Sequence, residues 1–345
     1  MKKRVLSSLL VLSLLGLTAC AQSEKVTNAN ASSGKKEEPA KEKVINLKSA
    51  DTVAATSPYT VGMNELADLL TKDTNGKIQL KHFPAGQLGN DLEIAEGVKL
   101  GSIDMAMIGN VQTKASDAFY LPFLFADSEH MNKVLKSEIG ERIKKKIEEQ
   151  SASKLKLIGY AYFAPRVLTT KGKVVKTPAD LKGLKIRVPE IPVMVDTWKA
   201  LGATPTPIVF GELFSAMQTG IVNGQENPTE IVANNSFYEV QDTVIETYHS
   251  IPVRFLVMNK KKYDLLSPDE QKILQKNWDK TADHIEKLYK ENETAYVQKL
   301  KEHGMKFIQP DVESFREATK DVWKKYAVEA WGEGVYEEIQ ALRKN

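Results

Sequence analysis

The sequence predicts an α/β protein of two lobes, in which each lobe is a mostly parallel sheet flanked by helices. Residues 44–108 and 184–227 carry this prediction, because each stretch reads as strand, helix, strand, helix, strand. The chain has 345 residues, and about 300 of them follow a polar and signal-like start. That length is enough for two lobes.

The first stretch contains predicted strands at 44–47, 77–83 and 103–108, and amphipathic helices at 59–70 and 92–100. In open parallel sheets, ligands bind beyond the carboxyl ends of the strands. Asp51 and Asn110 follow the first and third strands and are therefore candidate ligand contacts, although an ordinary turn explains each equally well. Tyr59 and Asp91, at the starts of the two helices, complete the candidates from this lobe.

The second stretch repeats this organisation. Residues 184–188 alternate apolar and polar side chains as a strand does, and Pro189 ends the strand. Residues 191–201 and 211–218 have the apolar spacing of helices, and residues 205–209 form the strand between them.

The remaining elements link and close the two lobes. A long helix is predicted at 268–303, because Ser267 caps it, a proline follows, and a glutamate stands three residues after the cap. At 1.5 Å per residue it measures about 54 Å and can lie across both lobes. The pattern also predicts a helix at 128–149, strands at 155–160, 243–248, 253–258 and 306–308, and one terminal helix. The predicted lobe boundaries are 44–163 with 252–292 for lobe 1, and 164–251 with 293–345 for lobe 2.

Three polar residues mark the strand ends of the second lobe. Arg187 and Asn227 stand at the ends of two predicted strands, and Arg166 begins a third extended segment. Two guanidinium groups and an amide suit the planar recognition of a carboxylate, since the arginine fork binds both oxygens at once. A solvated strand face is the alternative for Arg187, and a turn before Pro228 is the alternative for Asn227.

These residues lie in segments that resemble the DctP-like substrate-binding proteins of tripartite ATP-independent periplasmic (TRAP) transporters. The matching segments are Arg-x-x-Thr at 166–169, Thr-Pro-x-Asp-Leu-Lys-Gly-x-Lys-Ile-Arg-Val-Pro at 177–189, Trp-x-x-Leu-Gly-Ala-x-Pro-x-Pro at 198–207 and Gly-Gln-Glu-Asn-Pro at 224–228. Weaker matches extend over most of the chain after residue 44.

The resemblance implies a periplasmic-binding-protein-like fold with a long helix spanning both lobes. It implies that Arg187 binds the ligand carboxylate, that Arg166 assists, that Asn227 donates to the same carboxylate and that Phe210 packs against the ligand. Phe210 also fits a place in the core. The implied function is the capture of an organic acid by hinge closure and its delivery to membrane permease subunits, without a cofactor.

The start of the chain predicts export. Residues 1–4 are basic, residues 5–17 form an apolar run too short for an ordinary spanning helix, and Cys20, the single cysteine, follows. We interpret residues 1–20 as a lipoprotein signal peptide lipidated at Cys20; a plain secretory signal is the alternative. Residues 21–43 are polar and charged, which predicts a flexible tether. The mature protein would be extracytoplasmic and anchored to the cell membrane by its lipid.

Composition and motifs argue against other classes of function. The formal charge of +3 falls to 0 without Lys2, Lys3 and Arg4, so nothing favours nucleic acid as a partner. No nucleophile elbow, P-loop or dinucleotide fingerprint is present, and the five histidines have no metal-ligand spacing. The sequence thus predicts no enzyme, no cofactor and no metal. A sensory or adhesive lipoprotein of the same fold remains an alternative, and a surface hydrolase is a weaker one.

The ligand stays open at this level. Sugar acids, keto acids, dicarboxylates and aromatic acids all carry the carboxylate that the arginines predict.

Overall fold

The computed structural model describes residues 44–343 and shows two mixed sheets surrounded by helices. The predicted signal peptide, the lipidated Cys20 and the tether lie outside the described residues. The strands are β1 (Ile45–Ala50), β2 (Ile78–Phe83), β3 (Met105–Ile108), β4 (Leu155–Tyr162), β5 (Val167–Thr170), β6 (Lys185–Val188), β7 (Thr204–Pro207), β8 (Gly224–Asn227), β9 (Thr243–Ile245), β10 (Val253–Asn259) and β11 (Lys306–Ile308). The helices are α1 (Pro58–Asp73), α2 (Asp91–Leu100), α3 (Lys114–Asp117), α4 (Ser128–Leu135), α5 (Glu138–Gln150), α6 (Pro192–Ala200), α7 (Leu213–Gln218), α8 (Thr229–Asn234), α9 (Lys260–Tyr263), α10 (Pro268–Glu302), α11 (Val312–Thr319), α12 (Val322–Trp331) and α13 (Val335–Ala341).

The first sheet has the strand order β2-β1-β3-β10-β4. Strands β1, β2 and β3 are parallel, as α1 and α2 between them predict. Strand β10 runs antiparallel to both neighbours, and Phe255 pairs with Ile108. The start of β10 therefore lies at the same edge as the carboxyl end of β3, which brings Arg254 to this edge.

The second sheet has the order β11-β9-β5-β8-β6-β7. Strands β6, β7 and β8 are parallel, as predicted, but β5 runs antiparallel to β8 and to β9. Because Val167 pairs with Asn227, the start of β5 lies beside the carboxyl end of β8. Arg166 and Asn227 consequently meet at one edge, although their strands point in opposite directions.

The predicted long helix is confirmed as α10, which packs against elements of both sheets. Ser267 accepts a hydrogen bond from the backbone of Glu270, whose side chain accepts one from the backbone of Ser267. The helix packs against α1 and β4 of the first sheet and against α8 beside the second. Its buried face includes Trp278 and Tyr289. Within residues 44–343 no helix has the length and apolar character needed to cross a membrane.

Two predicted helices are wrong in their extent. Residues 128–149 form α4 and α5, because the side chain of Ser137 accepts the backbone N–H of Ile139 and starts a new helix. The terminal segment forms three helices instead of one. Gly332 and Gly334 have φ angles of 101° and 79° and separate α12 from α13.

The chain passes from the first sheet to the second between β4 and β5, and returns between β9 and β10. Helix α12 contacts α3 and α5 beside the first sheet and α6 beside the second. The assignment of residues 293–345 to the second lobe therefore stays a prediction.

Candidate functional site

A cavity of about 490 Å³ lies between the strand ends of the two sheets, and residues from both sheets line it. Six of the eight predicted contacts line it: Asp91, Asn110, Arg166, Arg187, Phe210 and Asn227. Asp51 and Tyr59 do not, and Arg254, which the sequence did not single out, does.

Arg187 is buried in the cavity wall, where a backbone carbonyl holds it. It is the third residue of β6 and only 3% exposed, so it is not a solvated strand-face residue. Its Nε and one terminal nitrogen donate to the carbonyl of Ile208, at 2.8 and 2.6 Å. No carboxylate of the described residues forms an ion pair with it. Burial lowers the pKa of Arg187 to about 10, so the group still carries its charge at neutral pH.

Arg166, by contrast, is already paired. Its guanidinium binds both carboxylate oxygens of Glu226, at 2.5 and 2.8 Å, and also the Glu226 carbonyl, at 2.7 Å. His249 lies 3.2 Å from the same carboxylate. Burial acts to raise the pKa of Glu226, but the attraction and hydrogen bonds of Arg166 outweigh it and the pKa is lowered. The charge of Arg166 is therefore balanced inside the protein.

Asn227 lines the cavity and is also hydrogen-bonded to Arg166 of the Arg166–Glu226 pair. Its Oδ1 accepts a hydrogen bond from Arg166 at 3.0 Å, and its Nδ2 donates to Gln225 at 2.6 Å. An amide nitrogen carries two hydrogens, so one of them is used within the protein. Only the second hydrogen of Asn227 Nδ2 is therefore available for the predicted hydrogen bond to a ligand.

Phe210 lies in a short helical turn, Phe210–Glu212, between β7 and α7. The centre of its ring is 6.0 Å from the guanidinium carbon of Arg187 and 6.2 Å from the ring of Phe237. The ring is half-buried and lines the cavity. It is positioned to contact both the arginine and a molecule bound to it.

The first sheet contributes polar atoms to the opposite wall. Asp91 accepts a hydrogen bond from Thr52 at 3.0 Å, and Asn110 donates to Asp117 at 2.6 Å. Burial raises the pKa of Asp117, and the hydrogen bond from Asn110 opposes that shift. These side chains make this wall rich in hydrogen-bond acceptors.

Arg254 is a third arginine of the cavity, from the second position of β10. It is 4% exposed, and a terminal nitrogen donates to the carbonyl of Met107 at 2.7 Å. Its guanidinium carbon lies 4.8 Å from the ring centre of Tyr59 and 5.6 Å from that of Phe163. One signal could have found it, because a charged residue inside an apolar strand is costly without a partner.

Asp51 and Tyr59, which were predicted as ligand contacts, lie outside this cavity, and their polar atoms are satisfied within the protein. The carboxylate of Asp51 lies 3.0 Å from His82 and accepts the backbone N–H of Val53 at 3.1 Å. The hydroxyl of Tyr59 donates to the carbonyl of Tyr162 at 2.8 Å. Both residues are fully buried outside the cavity.

No group of three or more His, Cys, Asp or Glu side chains in residues 44–343 is arranged to hold a metal ion. The cavity instead combines three guanidinium groups with amide and carboxylate oxygens. Such a set can bind a small anion that also carries hydroxyl or carbonyl groups.

Residues 49–329 match the family model described as bacterial extracellular solute-binding protein, family 7. A 2,3-diketo-L-gulonate-binding periplasmic protein of Escherichia coli is 34% identical over 257 residues, which cover 73% of this chain and 77% of the relative.

Two solved structures are also similar. A TRAP periplasmic solute-binding protein of Roseobacter denitrificans with bound L-galactonate has a TM-score of 0.80 and 29% identity, covering 87% of this chain and 99% of that one. One from Pseudomonas putida with bound D-glucuronate has a TM-score of 0.82 and 29% identity, covering 87% and 98%. The chain therefore belongs to family 7 of the bacterial extracellular solute-binding proteins, the solute-binding proteins of TRAP transporters.

Proposed function

We propose that this protein captures a small organic acid in the cavity between its two sheets and delivers it to the permease subunits of a TRAP transporter. The observation that carries the proposal is Arg187, a buried guanidinium in the cavity wall without a carboxylate partner among the described residues. Burying a charge without a counter-charge is energetically costly. The ligand carboxylate would complete the pair.

The donors of Arg187 suit that role. A guanidinium has five N–H donors, and the carbonyl of Ile208 takes two of them. The two terminal nitrogens can still present one hydrogen each to the two oxygens of a carboxylate. Arg166 and Asn227 lie at the same sheet edge and would hold the carboxylate from the side.

Sugar acids are the first ligand class to consider. The relatives named above bind 2,3-diketo-L-gulonate, L-galactonate or D-glucuronate. Each of these molecules has one carboxylate and several further oxygen atoms. The acceptor-rich wall around Asp91 and Asn110 supports the same class for this chain.

Membrane attachment and hinge closure complete the proposal. Helix α10 contacts elements of both sheets and could act as the hinge about which the ligand draws them together. Lipidation at Cys20 would hold the protein near its permease. Mass spectrometry of the exported protein should find Cys20 as its first residue, with a lipid attached. A mature N-terminus without a lipid would contradict the anchor but not the binding function.

The binding function is tested by thermal shift followed by calorimetry on the wild-type domain. D-glucuronate, L-galactonate, pyruvate, succinate and benzoate sample the four open ligand classes, and D-glucose serves as the uncharged control. A ligand that binds only the native state raises its melting temperature, so we expect at least one acid, and not glucose, to do so. A panel of organic acids without any stabilising member would contradict the proposal.

A further inference from the structure

We propose that Arg254 is the ligand anchor of the first sheet and that it binds a hydroxyl oxygen of the ligand, away from the carboxylate that Arg187 holds. The inference rests on the proposed function and specifies its ligand class. That class is a monocarboxylate with hydroxyl groups, as opposed to a plain monocarboxylate or a dicarboxylate.

The hydrogen bonding of Arg254 is the first reason. Among the described residues its guanidinium makes one hydrogen bond, to the carbonyl of Met107, and its buried Nε has no partner. Arg166, in the same cavity, makes four hydrogen bonds to Glu226 and Asn227. Leaving buried donors unpaired is unfavourable, and more so for a charged group. The terminal N–H groups that the Met107 carbonyl leaves unpaired, as opposed to the enclosed Nε, are the ones that can donate to a molecule in the cavity.

The rigidity of Arg254 is the second reason. The rings of Tyr59 and Phe163 lie against its guanidinium, and the Tyr59 hydroxyl is itself fixed by the carbonyl of Tyr162. Tyr59 and Phe163 are buried. A donor held in this way loses little conformational freedom when it binds a ligand.

The position of Arg254 gives it a distinct task. It belongs to β10 of the first sheet, whereas Arg187 belongs to β6 of the second, and both line one cavity. A ligand that reaches both arginines joins the two sheets. A ligand with only a carboxylate can bind Arg187 but gains nothing from Arg254.

The acceptor-rich wall beside Arg254 determines which group of the ligand can bind there. Asp91 lines the cavity and is one of the charges that act on Arg254. A hydroxyl group can accept from a guanidinium and donate to a carboxylate at the same time. A second carboxylate would be attracted to Arg254, but it can only accept, and the negative charge of Asp91 in the same wall opposes its entry.

Calorimetry on wild type and Arg254→Met with D-glucuronate, L-galactonate and D-erythronate tests the inference. We expect the variant to bind at least about 10-fold more weakly, the effect of one hydrogen bond to a charged group. Arg316→Met is the control, because Arg316 also lies against an aromatic ring, that of Phe123, but outside the cavity. Its affinity should equal that of wild type.

The outcomes separate this inference from the proposed function. Equal affinity of Arg254→Met and wild type for the hydroxy acids overturns the role of Arg254 and leaves the function standing. Wild type that binds succinate or benzoate but no hydroxy acid overturns the ligand class. Wild type that binds no acid overturns the function and this inference together.

A crystal structure of wild type with the hydroxy acid that binds provides a test independent of variant folding. We expect a nitrogen of Arg254 within about 3.2 Å of a ligand hydroxyl oxygen. A ligand held by residues of the second sheet alone would overturn the inference.

Discussion

Two buried arginines at one edge of the second sheet differ in how their charges are balanced. Arg166 binds both carboxylate oxygens of Glu226, whereas within residues 44–343 Arg187 donates only to a backbone carbonyl. Both are nearly inaccessible to solvent, at 2% and 3% exposure. We propose different tasks for them: Arg166, paired with Glu226, mainly stabilises the sheet edge and contacts the ligand carboxylate only from the side, whereas Arg187 is the main partner of that carboxylate.

Removing the charge of Glu226 should have the largest effect on stability. In Glu226→Gln the buried guanidinium of Arg166 keeps its charge and loses its counter-charge, which typically costs about 3–5 kcal/mol. Urea denaturation of the ligand-free protein measures this cost. Glu239→Gln, at an exposed site, is the control and should change the free energy of unfolding by less than about 0.5 kcal/mol. Equal urea midpoints for Glu226→Gln and wild type would contradict a structural role of the Arg166–Glu226 pair.

The pH dependence of the same variant sharpens the comparison. The pKa of Glu226 is lowered in the folded protein, so the unfolded chain binds a proton there first as the pH falls. The stability that the carboxylate contributes is fully present above about pH 4.3, the ordinary glutamate pKa, and is lost as the pH falls towards the folded value. The difference in the free energy of unfolding between wild type and Glu226→Gln should become smaller only in this acid range. A constant difference from pH 7 to pH 3 would contradict the assignment.

Arg187→Met should have a smaller effect on the stability of the ligand-free protein. The change removes a buried charge that has no acidic partner, and it leaves the Ile208 carbonyl without its two donors. These effects oppose each other, so we expect the free energy of unfolding to change by no more than about 1 kcal/mol. Lys185→Met, at the exposed start of the same strand, is the control in urea denaturation. A loss as large as that of Glu226→Gln would mean that Arg187 is also a structural residue.

Phe210→Leu should have the smallest effect, and on affinity rather than on folding. The ring lies 6.0 Å from the guanidinium carbon of Arg187, a contact worth about 0.5–1 kcal/mol. Because Phe210 lines the cavity, leucine would leave this guanidinium less well oriented for the ligand, and we expect calorimetry to show an affinity loss of about 2- to 5-fold. Phe214→Leu, outside this cavity, should bind as wild type does. An unchanged affinity in Phe210→Leu would favour the alternative that Phe210 is a core residue and not a ligand contact.

Local sequence patterns predicted most elements because capping and periodicity are local. The Ser267 cap and the apolar spacing of residues 191–201 correspond to α10 and α6. Strand direction is different, since β5 and β10 owe their antiparallel pairing to partners far away in the chain. For the same reason the sequence could not show that Arg166 meets Asn227 from an opposing strand.

The site was predicted only in part, and its missed residues share a cause. Arg254 is a charged residue inside a buried apolar strand, where the pattern of its neighbours indicates core, and Glu226 lies in the polar strand Gly-Gln-Glu-Asn, whose burial the sequence pattern does not show. Their roles depend on which polar atoms meet across the fold. Asp51 and Tyr59 lie away from the cavity, where their partners His82 and Tyr162 satisfy their polar atoms, and the sequence could not show these distant partners.

The affinity of Arg187→Met for the acid that wild type binds tests the central claim most directly. Losing one partner of a buried charge pair typically costs about 2–5 kcal/mol, so calorimetry should show binding at least about 30-fold weaker. Lys185→Met should bind as wild type does. Unchanged affinity in Arg187→Met would contradict the claim that this guanidinium holds the ligand carboxylate.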